Sequence, residues 1–354
     1  MNTILELLFL AVIFSAVLCL LVLPFFLRKS GIEEISKNKV ENPESKTTRW
    51  ENFKADMRPR IRELKFSLKR IRKSPLSMVG ISIILFFAVI AILAPVLAPP
   101  VDPNRPYNIP RDGFSQTPKP PSENHPFGTT EGQFDIYYGV IWGTRTAFVV
   151  GLMVVGASLL IGVVLGATAG YFGGIIDEIL MRVTDIFFAV PALILAMAFV
   201  TAMGPSLDSV MKALIIVWWP VYARLVRGEV LQVKQETYVE AAKAMGASNF
   251  RIITRHILPN TLFSVLVMAS LDLGAVVLTA AGLSFIGLGA PLGFADWGQM
   301  ISFSRNWIVG PPGQPFLYWY TVLIPGLFIF FFVLGWSLLG DAVRDVLDPK
   351  LRRK

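Results

Sequence analysis

Long stretches without a charged residue recur along this 354-residue sequence and restrict the folds open to it. A helix needs about 20 apolar residues to cross the roughly 30 Å hydrocarbon core of a bilayer. The chain has enough such stretches for seven helices, so we predict an all-α, polytopic membrane protein. The predicted helices lie near residues 4–27, 76–98, 146–170, 184–204, 209–225, 262–286 and 319–340.

The overall composition agrees with a membrane protein and excludes two other classes. Hydrophobic residues make up 54% of the chain and charged residues 16%, whereas an average soluble domain is about 25% charged. An ordinary soluble enzyme and an intrinsically disordered chain are therefore both excluded. Cys19 is the only cysteine in the sequence, so no internal disulfide can form.

The net charge of +8 comes from one block near the N-terminus. Residues 28–73 contain 15 Lys and Arg against 7 Asp and Glu, and the charges in the rest of the chain cancel. A basic block beside a membrane helix suits an anionic lipid surface better than a nucleic-acid groove. No nucleic-acid partner is expected.

The distribution of basic residues predicts how the chain is oriented. Placing residues 28–75, 171–183, 224–261 and 341–354 in the cytoplasm puts 27 of the 33 Lys and Arg residues there. With seven spans, the N-terminus then lies outside and the C-terminus lies in the cytoplasm. We expect the first span to be a retained anchor, because no basic region precedes it and no small-residue cleavage site follows it.

Motifs for catalysis or cofactor binding are missing from the sequence. No G-x-x-x-x-G-K-[ST], H-E-x-x-H or G-x-S-x-G occurs, so we expect no catalytic residue and no cofactor bound by this chain. His125 and His256 fall on opposite sides of the predicted membrane, so they cannot share a metal ion. No metal site is expected.

Two acidic residues, Asp185 and Asp272, lie in or near predicted spans. An acid inside a membrane is costly, so both are candidates for a functional role. One interpretation is a proton relay or an aspartyl protease pair. We favour an interfacial position for Asp185, and a lumen-facing position or an interhelical hydrogen bond for Asp272.

The loop at residues 224–260 contains the most detailed local pattern. Thr237 and Glu240 have the spacing of a capping box, in which each side chain binds a backbone N–H at the start of a helix. Gly246 can adopt the left-handed conformation that ends the helix. Ser248 can then cap a second helix, which we expect to continue until Pro259 interrupts it.

One face of the first short helix is predicted to be apolar. Tyr238, Ala241, Ala242 and Met245 follow a spacing of i, i+3, i+4 and i+7. The small side chains of Ala241 and Ala242 are expected to keep the exposed surface flat, so that another protein can approach closely. Isolated helices of this length are marginal in water, so the helix needs a partner.

These motifs resemble those of a known family. Glu240-Ala-Ala with Gly246, followed by residues 256–260, resembles the EAA loop of ABC importer membrane subunits. The blocks at 283–289 and 339–345 narrow the resemblance to the second membrane subunit of the dipeptide/oligopeptide/nickel type. The resemblance covers about residues 75–354. It implies a six-helix type I ABC importer transmembrane domain, here with one extra N-terminal transmembrane helix.

The family resemblance implies a non-catalytic subunit in the cell membrane that forms a translocation path for peptides or similar solutes. Its implied partners are a second homologous permease subunit, two cytoplasmic ATPase subunits that bind ATP and Mg, an extracytoplasmic substrate-binding protein, and membrane lipid. The implied contact with the ATPase is a coupling helix. Its residues are Thr237, Tyr238, Glu240, Ala241, Ala242, Met245 and Gly246.

The resemblance also suggests how the chain is divided, and where it departs from the family. Residues 1–73 lie outside the usual six-helix unit. Ala280 stands where a glutamate is expected, and Asp272 is a candidate substitute. The predicted regions are an extra transmembrane helix at 1–28, a basic cytoplasmic amphipathic arm at 29–75, a transmembrane helix and Pro-rich external loop at 76–143, a core permease domain at 144–342 with the coupling loop at 224–260, and a cytoplasmic tail at 343–354.

Two other functions remain open from the sequence. A proton-coupled secondary transporter would use Asp185 and Asp272 as a relay, and it would transport solute without an ATPase. A membrane scaffold subunit would instead recruit a partner through residues 28–73.

Overall fold

The computed structural model describes residues 74–347, whose regular secondary structure is helical apart from isolated β-bridges in the loops. The predicted extra span, the basic arm up to residue 73 and the end of the tail lie outside the described residues. The helices are α1 (Pro75–Leu97), α2 (Ile136–Phe172), α3 (Gly174–Phe188), α4 (Ala192–Met203), α5 (Leu207–Val233), α6 (Thr237–Ala244), α7 (Asn249–Ile252), α8 (Leu258–Phe285), α9 (Trp297–Phe303) and α10 (Trp319–Leu347).

Five long helical stretches within the described residues can cross a membrane. They are α1, α2, α5, the stretch Asn249–Phe285 that ends with α8, and α10. The helices α3 and α4 are together long and apolar enough for a sixth crossing. They meet at an angle of 89°, so this crossing would be a broken span. These spans confirm the prediction of an all-α membrane protein.

The single helix predicted near 184–204 is wrong, since the chain forms two helices there: α3 ends at Phe188 and α4 begins at Ala192. Pro191 separates them and has no N–H to continue the first helix. Proline also disfavours the helical conformation at the preceding residue, Val190. The chain therefore bends here instead of crossing directly.

The span predicted at 146–170 begins earlier than expected, at Ile136. Arg145 had marked its outer limit, because a charged residue usually lies outside the hydrocarbon core. In the structure Arg145 is buried, and its Nε donates to the carbonyl oxygen of Ala91 at 2.6 Å. Its guanidinium also lies 4.9 Å from the ring centre of Trp142. These interactions compensate the charge and let α2 continue past it.

A row of glycines on α2 allows α5 to pack very closely. A Cβ atom added at Gly162 would lie 2.3 Å from Cβ of Tyr222, and one at Gly166 would lie 2.3 Å from the carbonyl oxygen of Ala223. Gly170 continues the row against the backbone of Arg227. Small residues at every fourth position let two helix backbones approach within a membrane. The helices α2 and α5 are thus closely packed along this row.

The two ends of the bundle carry different structures. At one end, the loop at 98–135 pairs with the loop after α8: the N–H of Ile109 donates to Gly293 at 2.7 Å, and that of Ala295 donates to Tyr107 at 2.8 Å. We call this the strap end. The connectivity of α2 and α5 places α6 and α7 at the opposite end, which we call the α6 end.

Candidate functional site

The short helix α6 starts directly after a tight turn from α5. Within this turn the N–H of Glu236 donates to Val233 at 3.1 Å, and Glu236 is extended with a ψ of 138°. The carbonyl oxygen of Glu236 then accepts hydrogen bonds from Val239 at 2.9 Å and Glu240 at 3.3 Å. Main-chain bonds therefore close the first turn of the helix.

The predicted capping box is wrong. The N-cap is Glu236, not Thr237, and no side chain makes a capping hydrogen bond there. Thr237 is the first residue within α6, and Thr237 and Glu240 are both exposed. The turn from α5 places Glu236 in the extended conformation that the N-cap requires, so Thr237 is one position too late to serve.

The predicted end of α6 at Gly246 is confirmed. Gly246 has a φ of +80°, and its N–H donates to Lys243 at 3.0 Å. The N–H of Ala247 reaches back to Ala242 at 3.1 Å, which completes a Schellman motif. Ser248 caps α7 as expected, since its side chain accepts a hydrogen bond from the N–H of Arg251.

The apolar face of α6 differs from the predicted one. Val239 and Ala242 are buried against the bundle, and Tyr238 is half-buried. Ala241 is exposed, and Met245 is 82% exposed. The tight turn from α5 fixes the rotation of the helix, so Val239 and Ala242 face inward, while Ala241 and Met245 stay exposed as expected of a partner-facing surface.

An exposed apolar surface results at the α6 end. Met245 is joined there by Phe250, which is 78% exposed and lies beyond the Gly246 turn. Phe250 is not among the contact residues predicted from the sequence. Two large exposed apolar side chains next to a short rigid helix provide a surface that another protein can cover.

The helix after Ser248 does not stop at Pro259. A π-helical turn at Ile253–Ile257 follows α7, and α8 begins at Leu258 with Pro259 in its first turn. A wider π turn accommodates a proline, which lacks an N–H and would clash with the carbonyl of Arg255 in a regular helix. The α6 segment, defined here as residues 234–249, is thus connected to α8 without a break.

The two candidate acids bind different residues of α5. Asp272 on α8 is buried and accepts a hydrogen bond from the hydroxyl of Tyr222 at 2.7 Å. Asp185 on α3 is about half exposed and accepts from Nη2 of Arg224 at 2.7 Å. Both acids therefore make contacts between helices. In the part of the chain that the structure describes, no three His, Cys, Asp or Glu side chains are grouped to hold a metal ion.

Comparison with known proteins identifies the family. The family model described as "Binding-protein-dependent transport system inner membrane component" matches residues 162–353. The chain belongs to this family of ABC importer permeases. A second model, the N-terminal transmembrane domain of oligopeptide transport permease C, matches residues 65–121. The chain is thus a multi-pass membrane protein and the permease subunit of a transport complex.

Three curated relatives resemble this permease over most of their length. The dipeptide transport permease of Alkalihalophilus pseudofirmus is 40% identical over 81% of this chain and 90% of its own length. A probable D,D-dipeptide transport permease of Escherichia coli is 41% identical, over 79% and 89%. The oligopeptide transport permease of Bacillus subtilis is 36% identical, over 82% and 90%. The family does not favour the secondary-transporter or scaffold alternatives.

Sequence reasoning missed two residues of this permease, Tyr171 and Asp296. Tyr171 lies at the end of α2 and contacts both sides of the α6 segment. Asp296 caps α9 and lines, together with Ala280, a cavity of about 10 Å³. Burial raises the pKa of Asp296, although hydrogen bonds from its neighbours oppose this shift. The carboxylate beside Ala280 is therefore Asp296, while Asp272 is bonded to Tyr222. The sequence offered one clue for each residue. Asp296 directly precedes Trp297-Gly298, and Tyr171 lies between Gly170 and Gly173 in a short glycine-containing stretch.

Proposed function

We propose that this permease and a second homologous permease subunit together form the translocation path for peptides or similar solutes. The names of its relatives, which include dipeptide, D,D-dipeptide and oligopeptide transport permeases, support this substrate class. An extracytoplasmic binding protein would deliver the solute at the strap end. The N-terminus would then lie outside and the C-terminus in the cytoplasm.

The energy for transport would come from two cytoplasmic ATPase subunits, which bind ATP and Mg. This chain itself would carry no catalytic residue and no cofactor. The contact with the ATPase would be α6 and the turn after it, including Thr237, Tyr238, Glu240, Ala241, Ala242, Met245 and Gly246, with Phe250 added.

The observation that carries this proposal is the shape and chemistry of the α6 end. Val239 and Ala242 hold one face of α6 against the bundle, while Met245 and Phe250 extend into solvent. The Schellman turn at Gly246 fixes the chain between these two exposed side chains. A short, fixed helix with an apolar tip is suited to passing a rigid-body movement across an interface.

Replacing Met245 and Phe250 with aspartate tests the ATPase contact. Burying a side chain of this size in an interface contributes about 1.5–3 kcal/mol. Each of Met245→Asp and Phe250→Asp should therefore weaken ATPase binding by about tenfold or more. Co-purification of the ATPases with the tagged permease, followed by ATP hydrolysis in the purified complex, measures the effect.

Phe114→Asp is the matched control, because Phe114 is 74% exposed on the loop at the strap end. This variant should bind the ATPases as the wild type does. Full ATPase binding and stimulation in the Met245→Asp/Phe250→Asp double variant would refute the proposed contact.

A further inference from the structure

A single residue of α2 contacts both sides of the α6 segment. Nζ of Lys234 donates to the backbone carbonyl oxygen of Tyr171 at 2.5 Å and lies 5.6 Å from the centre of its ring. The hydroxyl of Tyr171 donates to Oδ1 of Asn249 at 2.8 Å. Lys234 precedes α6 and Asn249 opens α7. Tyr171 therefore closes the α6 segment into a loop at its base.

Tyr171 itself is held firmly in place. Its side chain belongs to the buried core, with 8% of the residue exposed, and its ring packs edge-on against Phe172. The preceding residue, Gly170, lies where an added Cβ would approach the backbone of Arg227 on α5 to 2.9 Å. Tyr171 cannot shift without moving the closely packed pair α2–α5.

Besides Tyr171, the α6 segment packs on the bundle through a few apolar side chains, among which Tyr238 and Ala247 are only partly buried. Val239 and Ala242 are the buried side chains of α6. The helix α6 is joined to α5 by the tight turn before Thr237. It is joined to α7 by the turn at Gly246, whose positive φ is rarely adopted by residues that carry a side chain. A load applied at the exposed tip could therefore rotate α6 about these two turns unless the base of the segment is fixed.

We propose that Tyr171 is a positioning residue that makes the α6 segment and α2 move as one rigid body. A displacement at Met245 and Phe250 would then reach the membrane-spanning helices instead of being lost in a local rotation of α6. This inference rests on the proposed ATPase contact and deepens it. The hydroxyl of Tyr171 acts on the far side of the segment, through Asn249, and its backbone carbonyl acts on the near side, through Lys234.

Distances between spin labels in the complete transporter, assembled with its partner subunits, test this proposal. In a Cys19→Ser background, one label is placed at Lys243→Cys on α6 and another at Met153→Cys, an exposed position on α2. In the wild-type permease, the distance distribution should be narrow and unchanged between the nucleotide-free and the ATP–vanadate states. Tyr171→Phe removes only the bond to Asn249, so the rotated population should rise roughly two- to tenfold, as expected for one lost hydrogen bond.

Three further variants make the test specific. Asn249→Ala should broaden the distribution as much as Tyr171→Phe does, and the double variant should be no worse, because both remove the same bond. Tyr137→Phe is the matched control, since that hydroxyl joins two segments at the strap end by donating to Leu97 at 3.2 Å. It should leave the distances unchanged.

Two results would overturn the inference. One is a Tyr171→Phe distribution identical to that of the wild type, and the other is equal broadening by Tyr137→Phe. A purely stabilising role for Tyr171 would lower the thermal stability of the complex without changing the distance between the labels. Failure of the wild-type permease to retain any ATPase subunit would instead overturn the proposed function, and this inference with it.

Discussion

At the scale of single residues, His125 connects the loop at the strap end to the start of α2. Its Nδ1 lies 2.6 Å from Oδ2 of Asp135, and its Nε2 lies 2.9 Å from Oδ2 of Asp112. Asp135 also caps α2, because its Oδ1 accepts from the N–H of Tyr138 at 2.7 Å. Burial alone would lower the pKa of His125, but the hydrogen bonds and charges of Asp135 and Asp112 raise it above 6.5 overall.

The raised pKa of His125 predicts a pH-dependent attachment of this loop. Because the pKa is higher in the folded state, the stabilisation is complete below the unfolded value of about 6.5 and is lost as the pH rises through the folded value. The melting temperature of the purified wild type should therefore exceed that of His125→Gln most at pH 6 and least at pH 9. A difference that stays constant over this range would contradict the prediction.

Local backbone signals were predictable where one residue determines the outcome. Gly246 and Ser248 perform the expected structural roles, since a left-handed glycine and a serine N-cap depend on only a few neighbouring residues. The start of α6 was wrong by one residue, because the tight turn after Val233 decides it. Of the residues predicted on the exposed apolar face of α6, Ala241 and Met245 are exposed, but Ala242 is buried beside Val239, because the same turn sets the rotation of the helix.

At the scale of helices, the packing of α2 against α5 depends on glycine at particular positions of α2. Gly166 lies so close to α5 that an added Cβ would fall 2.3 Å from the carbonyl oxygen of Ala223, a backbone atom that cannot rotate away. Gly156 lies on the same helix, and nothing stands within 4 Å of the position that its Cβ would take. Replacing glycine with alanine therefore produces a clash at position 166 and none at position 156.

Gly166→Ala should destabilise the permease by about 1–3 kcal/mol, because overpacking forces the two helices apart. Gly156→Ala should be neutral or slightly stabilising, because alanine has the higher helix propensity and meets open space. Thermal unfolding of both variants in the same detergent measures the difference. Equal melting temperatures for the two variants would show that the close approach of α2 and α5 contributes nothing.

Most helices were predictable from uncharged length alone, but two breaks were not. The bend between α3 and α4 depends on Pro191 and on how the two arms pack: Arg224 and Arg227 of α5 bind Asp185 and Asp177 of α3. At Pro259 the opposite happened, because a π turn absorbed the proline and the helix continued. A proline in an apolar stretch does not by itself distinguish these two outcomes, since tertiary contacts select between them.

At the scale of the whole molecule, the bundle separates two surfaces of different character. The strap end carries the Pro-rich loop at 98–135, and the α6 end carries the exposed Met245 and Phe250. The long apolar spans were predictable from uncharged length, whereas the side of the membrane on which each loop lies stays a prediction from the distribution of basic residues. The packing contacts, such as those of Tyr171 and Asp296, depend on distant parts of the chain and were not predictable from local sequence.

Single-cysteine labelling tests the proposed orientation of the permease, because Cys19 is the only native cysteine. In a Cys19→Ser background, Phe114→Cys places a thiol at the strap end, and Gln235→Cys places one beside α6 at an exposed position. With the strap end outside, a membrane-impermeant maleimide should label Phe114→Cys in intact spheroplasts. It should label Gln235→Cys only after permeabilisation, because the proposed orientation puts the α6 end and its basic residues in the cytoplasm. Asn2→Cys should be labelled like Phe114→Cys if seven spans are present. Labelling of Gln235→Cys in intact spheroplasts would show that the α6 end lies outside, which would reverse the proposed orientation.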